Sequence, residues 1–338
     1  MRANAFAAGA AVGLAVFISG SAAGVVSAQA AQAQKKIAVD CDRACLEDLV
    51  NQYLAALVAH DPKRLPLSAD VKYTENDQVL DIGDGFWNTA TGIGSYKHYF
   101  ADPVTSQVGF FGTMKEGDNL LLMGLRLRVQ LGRITEVETT YYRQGGGGPA
   151  GIADLDKKGT PEEIWFQPIP PGQRVSRNQL IATANAYFAG LQKNDGKGYY
   201  PFADDCNRVE NGAQTTNNPT LGGNNAGGFN AFSLGCKAQF ESGYYAVVTR
   251  IHHRRYPLVD EERGVVWAYS VFDHNGTVRT IKLTNGQSVD MRGFTRPSSI
   301  EVTEAFKITD GKIRRIEMVG SGVTYHLNPA WEGGLSDK

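Results

Sequence analysis

One order of sequence elements occurs twice in this chain, and that repetition constrains the fold more than any other feature. Each copy has an amphipathic helical pattern, an acidic turn, a short strand ending in Glu-Asn and a glycine-containing hairpin. A period of about 135 residues is too long for a solenoid and indicates duplication of a whole domain. The patterns occupy 46–59, 71–76 and 120–143 in the first copy and 179–192, 207–212 and 300–319 in the second.

Both copies combine a helix with strands, so the predicted fold class is α+β. His60-Asp61-Pro62 ends the first helix, and Asn194-Asp195-Gly196 ends the second. We expect a first domain at 40–144 and a second at 176–332, joined by a glycine- and proline-rich linker at 145–175.

The N-terminal residues 1–34 have the pattern of a signal peptide. Arg2 precedes an alanine-rich apolar run, and Ala28-Gln29-Ala30 offers a small-residue cleavage site. An uncleaved anchor is the alternative, because the run approaches the roughly 18–20 apolar residues that span a bilayer. The cleavage sites favour removal. We therefore expect export to the periplasm or the extracellular space, with no stable membrane insertion of the mature protein.

Four cysteines would then lie in an oxidising compartment, where an even number suits disulfides. Cys206 and Cys236 bracket a Gly/Asn-rich segment and are expected to pair. Cys41 and Cys45 are close enough for a local bridge, although their pairing stays open. No His or Cys stands near either pair at metal-ligand spacing, so no metal is predicted.

The charge balance and the missing motifs exclude several function classes. With 34 basic and 35 acidic residues the net charge is −1, which argues against nucleic acid as a partner. The sequence has no dinucleotide-binding, phosphate-binding, His-Glu-x-x-His or Gly-x-Ser-x-Gly motif. The function class that remains is acid–base catalysis in a pocket without a cofactor.

Three segments carry a family resemblance: 41–46, 204–212 and 254–264. With the helix and hairpin order, they resemble the nuclear transport factor 2-like superfamily, which includes SnoaL-like polyketide cyclases, steroid isomerases and scytalone-type dehydratases. A closer similarity is to exported tandem proteins of bacteria and fungi. Over roughly 40–332, the resemblance implies two cone-shaped domains, each a long N-terminal helix on a curved antiparallel sheet. This fold hosts lyases, isomerases and binding modules.

The densest group of candidate catalytic residues lies between Thr249 and His274. Strand alternation places His252 and Arg254 on one face and His253 on the other, so one of the two histidines is expected to point into the cone. Imidazole changes protonation near neutral pH, which suits a catalytic base. Arg254 and Asp260 complete this group. The alternative is a solvated ion-pair network at a hairpin end, formed by 254–255 and 260–263.

Glu75 and Glu210 are at equivalent repeat positions, each at a strand end and each followed by Asn. A carboxylate in an apolar cone has a raised pKa and can act as a base. Asn211 is a candidate substrate ligand beside Glu210, and the alternative for this segment is a turn cap.

Aromatic residues are candidates for a substrate-binding wall. In the first domain, Tyr73, Trp87, Tyr96, His98, Tyr99 and Asp102 are expected to line one cavity, with a core or rim position as the alternative. Trp267, in the second domain, is a further candidate.

We therefore predict an exported, cofactor-independent lyase or isomerase acting on a small apolar or aromatic molecule. Certain members of the resembling superfamily release formaldehyde from lignin-derived aromatics in a retro-aldol-like step, which is one concrete version. A non-catalytic small-molecule-binding protein is the alternative. A homodimer is expected as a possible assembly.

Overall fold

The structure is a computed structural model that describes residues 41–145, 151–192, 194–222, 228–332 and 334. The signal-peptide prediction for 1–34 lies outside these residues. Within them, no helix is both long and apolar enough to cross a bilayer.

The α-helices and strands follow the repeated order. They are α1 Arg43–Val58, β1 Leu67–Glu75, β2 Gln78–Leu80, β3 Ala90–Asp102, β4 Gln107–Glu116, β5 Asn119–Gln130, β6 Arg133–Arg143, α2 Ile152–Lys158, α3 Arg177–Leu191, β7 Phe202–Glu210, β8 Ala213–Gln214, α4 Cys236–Glu241, β9 Arg250–Asp260, β10 Val265–His274, β11 Thr280–Lys282, β12 Ser288–Asp290, β13 Ser298–Thr309 and β14 Lys312–Val323. Short 3-10 helices lie at Pro62–Arg64, Gly85–Asn88, Glu163–Trp165, Pro171–Gln173, Ala231–Ser233, Tyr244–Val247 and Arg292–Phe294.

Two six-stranded sheets of matching topology confirm the α+β prediction. The orders are β2-β1-β6-β5-β4-β3 and β8-β7-β14-β13-β10-β9. We call 41–145 the first half and 176–323 the second half. The sheets are antiparallel as expected except at one place in each, where β1 pairs parallel to β6 and β7 pairs parallel to β14. In each half, the second strand of the long hairpin lies beside the first strand and runs in the same direction.

Each long helix packs on one face of its sheet, which we call the inner face. Asp42 caps α1 by accepting from the Cys45 backbone N–H, and Ser176 with Gln179 forms a capping box at α3. The apolar stripe of each helix is buried against its sheet, and it includes Leu46, Val50, Tyr53, Leu54 and Leu57 in α1 and Leu180, Ala184, Tyr187, Phe188 and Leu191 in α3.

The opposite, outer faces of the two sheets pack against each other. Trp267 is fully buried there and stacks on Phe111 with ring centroids 4.4 Å apart. Gly109 makes this approach possible, because a Cβ at that position would lie 2.7 Å from the Trp267 ring. The core between the two sheets combines side chains of both halves, and its buried apolar surface holds the halves together.

Ion pairs connect the halves reciprocally. Arg43 at the start of α1 contacts Asp260 at the end of β9 at 2.8 Å, and Arg177 at the start of α3 contacts Asp102 at the end of β3 at 2.8 Å. Glu317 accepts from Tyr96 at 2.8 Å and pairs with His98 across the same interface. Asp260 is therefore part of an ion pair, but it is buried and its partner is Arg43 of the first half, not a residue of the solvated network expected at 254–255 and 260–263.

The linker predicted at 145–175 has structure of its own. Its described part holds α2, and Trp165 is buried in the core between the halves. Asp156 accepts from the Ser95 backbone N–H at 2.6 Å, which fixes α2 against β3. The connection between the halves is thus part of their interface.

Both cysteine pairs form disulfides, Cys41–Cys45 and Cys206–Cys236. Among the described residues no cysteine is free. Two disulfides are compatible with an exported protein.

Candidate active site

A cluster of acidic, basic and tyrosine side chains lies on the inner face of the second sheet. Arg208 and Glu210 are two residues apart on β7, so their side chains leave the strand on the same face. Arg208 is 1% exposed and its Nε lies 3.1 Å from Glu210 Oε1, while the Glu210 side chain keeps 22% of its surface exposed. Glu210 is thus a carboxylate held by a buried cation and reachable from outside.

The Cys206–Cys236 disulfide places α4 beside this pair. Gln239 follows Cys236 by three residues, so both are on the face of α4 that meets β7. The guanidinium of Arg208 donates to Gln239 Oε1 at 2.7 Å and to Thr215 Oγ1 at 3.2 Å, and it also donates to the Tyr245 hydroxyl. These neutral acceptors orient Arg208, and its pairing with Glu210 balances its charge.

Glu304 is the second carboxyl group of the cluster. It lies on β13, is 1% exposed, and its Oε2 has no hydrogen-bond partner in the part of the chain that the structure describes. Burial, reinforced by the charge of Glu210, raises the pKa of Glu304 to about 8 against the opposing effects of Arg208 and a hydrogen bond from Tyr187. Glu304 is therefore a neutral acid at pH 7, and it can donate a hydrogen bond.

Tyrosines surround the two carboxyl groups. Burial raises the pKa of Tyr187 well above its ordinary value, and burial also raises the pKa values of Tyr245 and Tyr256. All three hydroxyls thus stay protonated donors at neutral pH. Tyr256 donates to Asn185 on α3 at 2.8 Å. The cluster therefore offers one carboxylate, one neutral carboxylic acid and aromatic walls.

The corresponding cluster of the first half has different chemistry. Glu75 accepts from the Phe86 backbone N–H at 2.7 Å and from the Tyr73 hydroxyl at 3.1 Å. Trp87 and Tyr53 contact each other edge to face, with ring centroids 5.3 Å apart. Tyr73, Glu75 and Trp87, all predicted from the sequence, are brought together here.

The predicted pair His252 and His253 lies outside the inner-face cluster. His253 has φ +52°, and β9 has an extra residue at this point, because Tyr269 pairs with Arg255 while Val271 pairs with His252. The bulge breaks the strict alternation assumed from the sequence. Arg254 alone of these residues turns toward α3, with Nη1 3.4 Å from Asn185 Oδ1. The prediction that His252 and Arg254 share a face is therefore wrong.

The remaining sequence candidates serve the architecture in this structure. Tyr96 and Trp267 are buried between the sheets, and Asp260 is paired with Arg43. Asn211 has φ +48° and exchanges two hydrogen bonds with the Gly320 backbone, which holds the end of β7. The expectation of one cavity lined by all six first-domain candidates is also wrong. Tyr73 and Trp87 lie on the inner side, whereas Tyr96 and His98 lie in the interface.

Sequence reasoning missed Glu304, Tyr187 and Gln239 as site residues. Glu304 stands in the alternating pattern of β13, where apolar neighbours Val302 and Phe306 also face inward. A lone acid at an inward-facing position of a buried strand is the signal that identifies it.

Comparison with known proteins shows a family model, described as a domain of unknown function (DUF8021), that matches residues 173–320. The matched stretch contains the whole Arg208, Glu210 and Glu304 cluster. Comparison with curated proteins found no match.

Solved structures that match the chain include a candidate ketosteroid isomerase from Kribbella flavida DSM 17836, at 16% identity and TM-score 0.25 over 32% of this chain and 84% of that one. AclR of Streptomyces galilaeus, described as a candidate hydroxylase, matches at 14% identity and TM-score 0.27 over 34% and 95%. A protein of ketosteroid isomerase-like fold from Catenulispora acidiphila DSM 44928, in complex with trimethylamine, matches at 13% identity and TM-score 0.21 over 32% and 92%. Scores this low establish neither family nor activity.

Proposed function

We propose that the second half is the catalytic half of a cofactor-independent lyase or isomerase that acts on a small apolar or aromatic molecule. One observation carries this proposal: a buried carboxyl group, Glu304, has its pKa raised to about 8 beside the accessible carboxylate of Glu210. Two carboxyl groups whose environments separate their protonation states can divide the roles of acid and base.

Glu210 is the proposed base. Its carboxylate is the exposed member of the cluster, and Arg208 fixes one of its oxygens. In an isomerisation it takes a proton from carbon next to a carbonyl group and returns it at another carbon. In a retro-aldol cleavage it takes the proton of a β-hydroxyl group, the carbon–carbon bond breaks, and an aldehyde leaves while the electron pair passes into an enolate.

Glu304 is the proposed donor to the enolate oxygen, and Tyr187, whose hydroxyl donates to Glu304, is proposed to orient it. Both stay protonated at neutral pH because burial disfavours their anions. Donors that are already oriented before the reaction stabilise the developing negative charge without reorganising. Aromatic side chains nearby, including Tyr244, Tyr245 and Tyr256, suit a planar substrate.

The experiment is a thermal-shift screen of the purified protein against small aromatic carbonyl compounds and lignin-derived alcohols, with mass spectrometry of each mixture. A compound that raises the melting temperature and is converted without added cofactor supports the proposal, provided that Glu210→Gln abolishes conversion and Glu75→Gln does not. Conversion that survives Glu210→Gln would refute the assignment of the base.

A binding protein is the second candidate function, and the first half favours it. The hydroxyls of Tyr53 and Tyr141 and the Trp87 indole nitrogen are buried, and none of the three atoms makes a well-aligned hydrogen bond among the described residues, so they are candidates to hold a polar ligand atom. Stabilisation by a compound that stays chemically unchanged, lost in Tyr141→Phe but kept in Glu210→Gln, is the expected result for this function.

A further inference from the structure

A second polar cluster lies outside the proposed active site, at the end of the second sheet where β9 begins and β10 ends. His252 stands on β9, Asp273 on β10, Ser299 on β13 and His326 just beyond β14. His252 and Asp273 are 2% and 1% exposed. The proposed acid–base chemistry uses none of these side chains.

Two buried atoms in this cluster form a close ion pair that lacks the geometry of a hydrogen bond. His252 Nε2 and Asp273 Oδ2 are 3.3 Å apart, yet neither atom has a hydrogen-bond partner within the described ranges. A buried ion pair without a well-directed hydrogen bond is costly, and a cation bound between the two atoms would satisfy both of them. Two ligands of one tetrahedral Zn²⁺, each about 2.0–2.1 Å from the metal, stand about 3.3 Å apart and point at the metal rather than at each other.

A third donor faces the same oxygen. His326 Nε2 lies 3.5 Å from Asp273 Oδ2, and its side chain is 53% exposed, so it is free to turn. Ser299 holds this arrangement: its hydroxyl donates to Asp273 Oδ1 at 2.5 Å and accepts from the His326 backbone N–H at 3.0 Å. The serine thus fixes both the carboxylate and the backbone that carries His326.

The remaining ring nitrogen of His252 also has a defined contact. Its Nδ1 is 2.6 Å from His253 Nδ1, so one of these atoms donates to the other. If His252 donates, its Nε2 carries the lone pair toward Asp273. Metal-bound histidines regularly donate their other N–H in this way, which fixes the tautomer. The bulge at His253 therefore has a structural consequence: it brings two imidazoles side by side.

We propose that His252, Asp273 and His326 bind a divalent transition-metal ion of the Zn²⁺ class. Imidazole nitrogen and carboxylate oxygen are donors that Zn²⁺ accepts, and three protein ligands leave a fourth position for water. Within the described part of the chain, no three His, Cys or acidic side chains are yet arranged to hold a metal ion. Binding therefore requires the exposed His326 ring to turn toward the fixed pair. Sequence spacing predicts no such site, because the ligands are far apart along the chain.

Arg250 is the opposing charge at the site. Its Nη1 lies 4.0 Å from Asp273 Oδ2, and its side chain is 39% exposed. A bound cation would displace this guanidinium into solvent. Arg250→Ala is therefore expected to tighten metal binding.

The experiment is titration of tag-free, chelator-stripped protein with Zn²⁺ by calorimetry and with Co²⁺ by visible absorption. We expect one ion per chain, a tetrahedral Co²⁺ spectrum, and at least about tenfold weaker binding in His326→Ala and in Ser299→Ala. His326 is half exposed, so its variant should fold, and circular dichroism checks this. His60→Ala, at an exposed position in the first half, is the matched control and should bind as the parent does.

Three results would overturn the proposal. They are an absence of binding at micromolar metal, binding that is equal in the parent and His326→Ala, and a Co²⁺ spectrum typical of an octahedral site. His326→Cys, which supplies a thiolate at the same position, should restore binding and shift the Co²⁺ spectrum by sulfur coordination.

Discussion

The inner faces of the two sheets have the same backbone and opposite chemistry. Glu75 and Glu210 end equivalent strands, and each pairs with the returning strand of its hairpin, at Thr139 and Met318. Across the next strand, Leu125 pairs with Thr139 and Glu304 pairs with Met318, so these two positions correspond. The first half has a leucine where the second has a buried acid.

The positions next to these carboxyl groups also differ between the halves, with larger aromatic side chains in the first half. Tyr73 precedes Glu75 by two residues as Arg208 precedes Glu210, and Phe110 is paired with Leu125 as Ala268 is paired with Glu304. The first half fills its cone with a phenyl ring and a leucine, whereas the second has a small alanine beside a cation and two carboxyl groups. One backbone therefore supports a sealed aromatic cluster in one copy and an acid–base cluster in the other.

The largest expected difference between the two halves is in their contribution to catalytic activity. Glu210→Gln is expected to lower kcat by about 10³-fold, because a positioned general base contributes 10²–10⁴-fold. Glu75→Gln at the corresponding position should leave kcat within about twofold. The measurement is steady-state turnover of the compound found by the screen, and equal losses in the two variants would show that the halves share the chemistry.

The disulfides should differ in their effect on stability. Cys206–Cys236 closes a loop with a sequence separation of 30, and Cys41–Cys45 closes one of 4. Because the longer loop has more entropy to lose, the double variant Cys206→Ser/Cys236→Ser should lose about 3–4 kcal/mol of unfolding free energy, against about 2 kcal/mol for Cys41→Ser/Cys45→Ser. Urea unfolding measures both, and the reverse order would contradict this ranking.

Variants of Arg208 and Tyr73, which occupy equivalent positions in the two halves, should differ less in unfolding free energy. Arg208→Met leaves the Glu210 carboxylate without its buried cation and should cost about 3 kcal/mol of unfolding free energy. Tyr73→Phe removes one hydrogen bond to Glu75 and should cost about 1 kcal/mol. Chemical denaturation of both variants under identical conditions tests the ranking, and an equal cost would mean that the Arg208 network contributes little.

A further test of the difference between the two halves concerns the pH dependence of stability. The folded state keeps a proton on Glu304 up to pH of about 8, whereas the unfolded state releases it near the ordinary value of 4.5. The stabilising contribution of this proton is thus complete below about pH 4.5 and is lost as the pH rises toward 8, by about 1.4 kcal/mol per pH unit.

Glu304→Gln should remove that slope, so the variant gains stability relative to the parent between pH 5.5 and about 7.5. Unfolding free energies at three pH values give the slope. Glu241→Gln, at an exposed position on α4, is the control and should keep the parental slope.

Much of the architecture follows from periodicity. The helical patterns predicted α1 and α3 to within a few residues, and the Glu-Asn repeat identified equivalent strand ends at Glu75 and Glu210. These elements are predictable because local spacing alone decides which face is apolar. The whole of β3, Ala90–Asp102, was missed, because Gly92 and Gly94 give its first residues the composition of a turn.

The candidate site was less predictable, for two physical reasons. The bulge at His253 shifts the side chains beyond it, and no local composition marks that shift. Glu304 acquires its raised pKa from burial and from Glu210, which lies on another strand, so its chemistry depends on tertiary packing. Glu210 was identified because its position repeats, which is information that the sequence contains.

The reciprocal pairs of Arg43 with Asp260 and of Arg177 with Asp102 have a consequence for assembly. An interface in which corresponding residues exchange partners is isologous, and it is closed once two copies have met. Here both copies belong to one chain, so the chain satisfies its own twofold contact. The outer sheet faces are no longer available to a second molecule, and any homodimer of this protein has to form through a different surface.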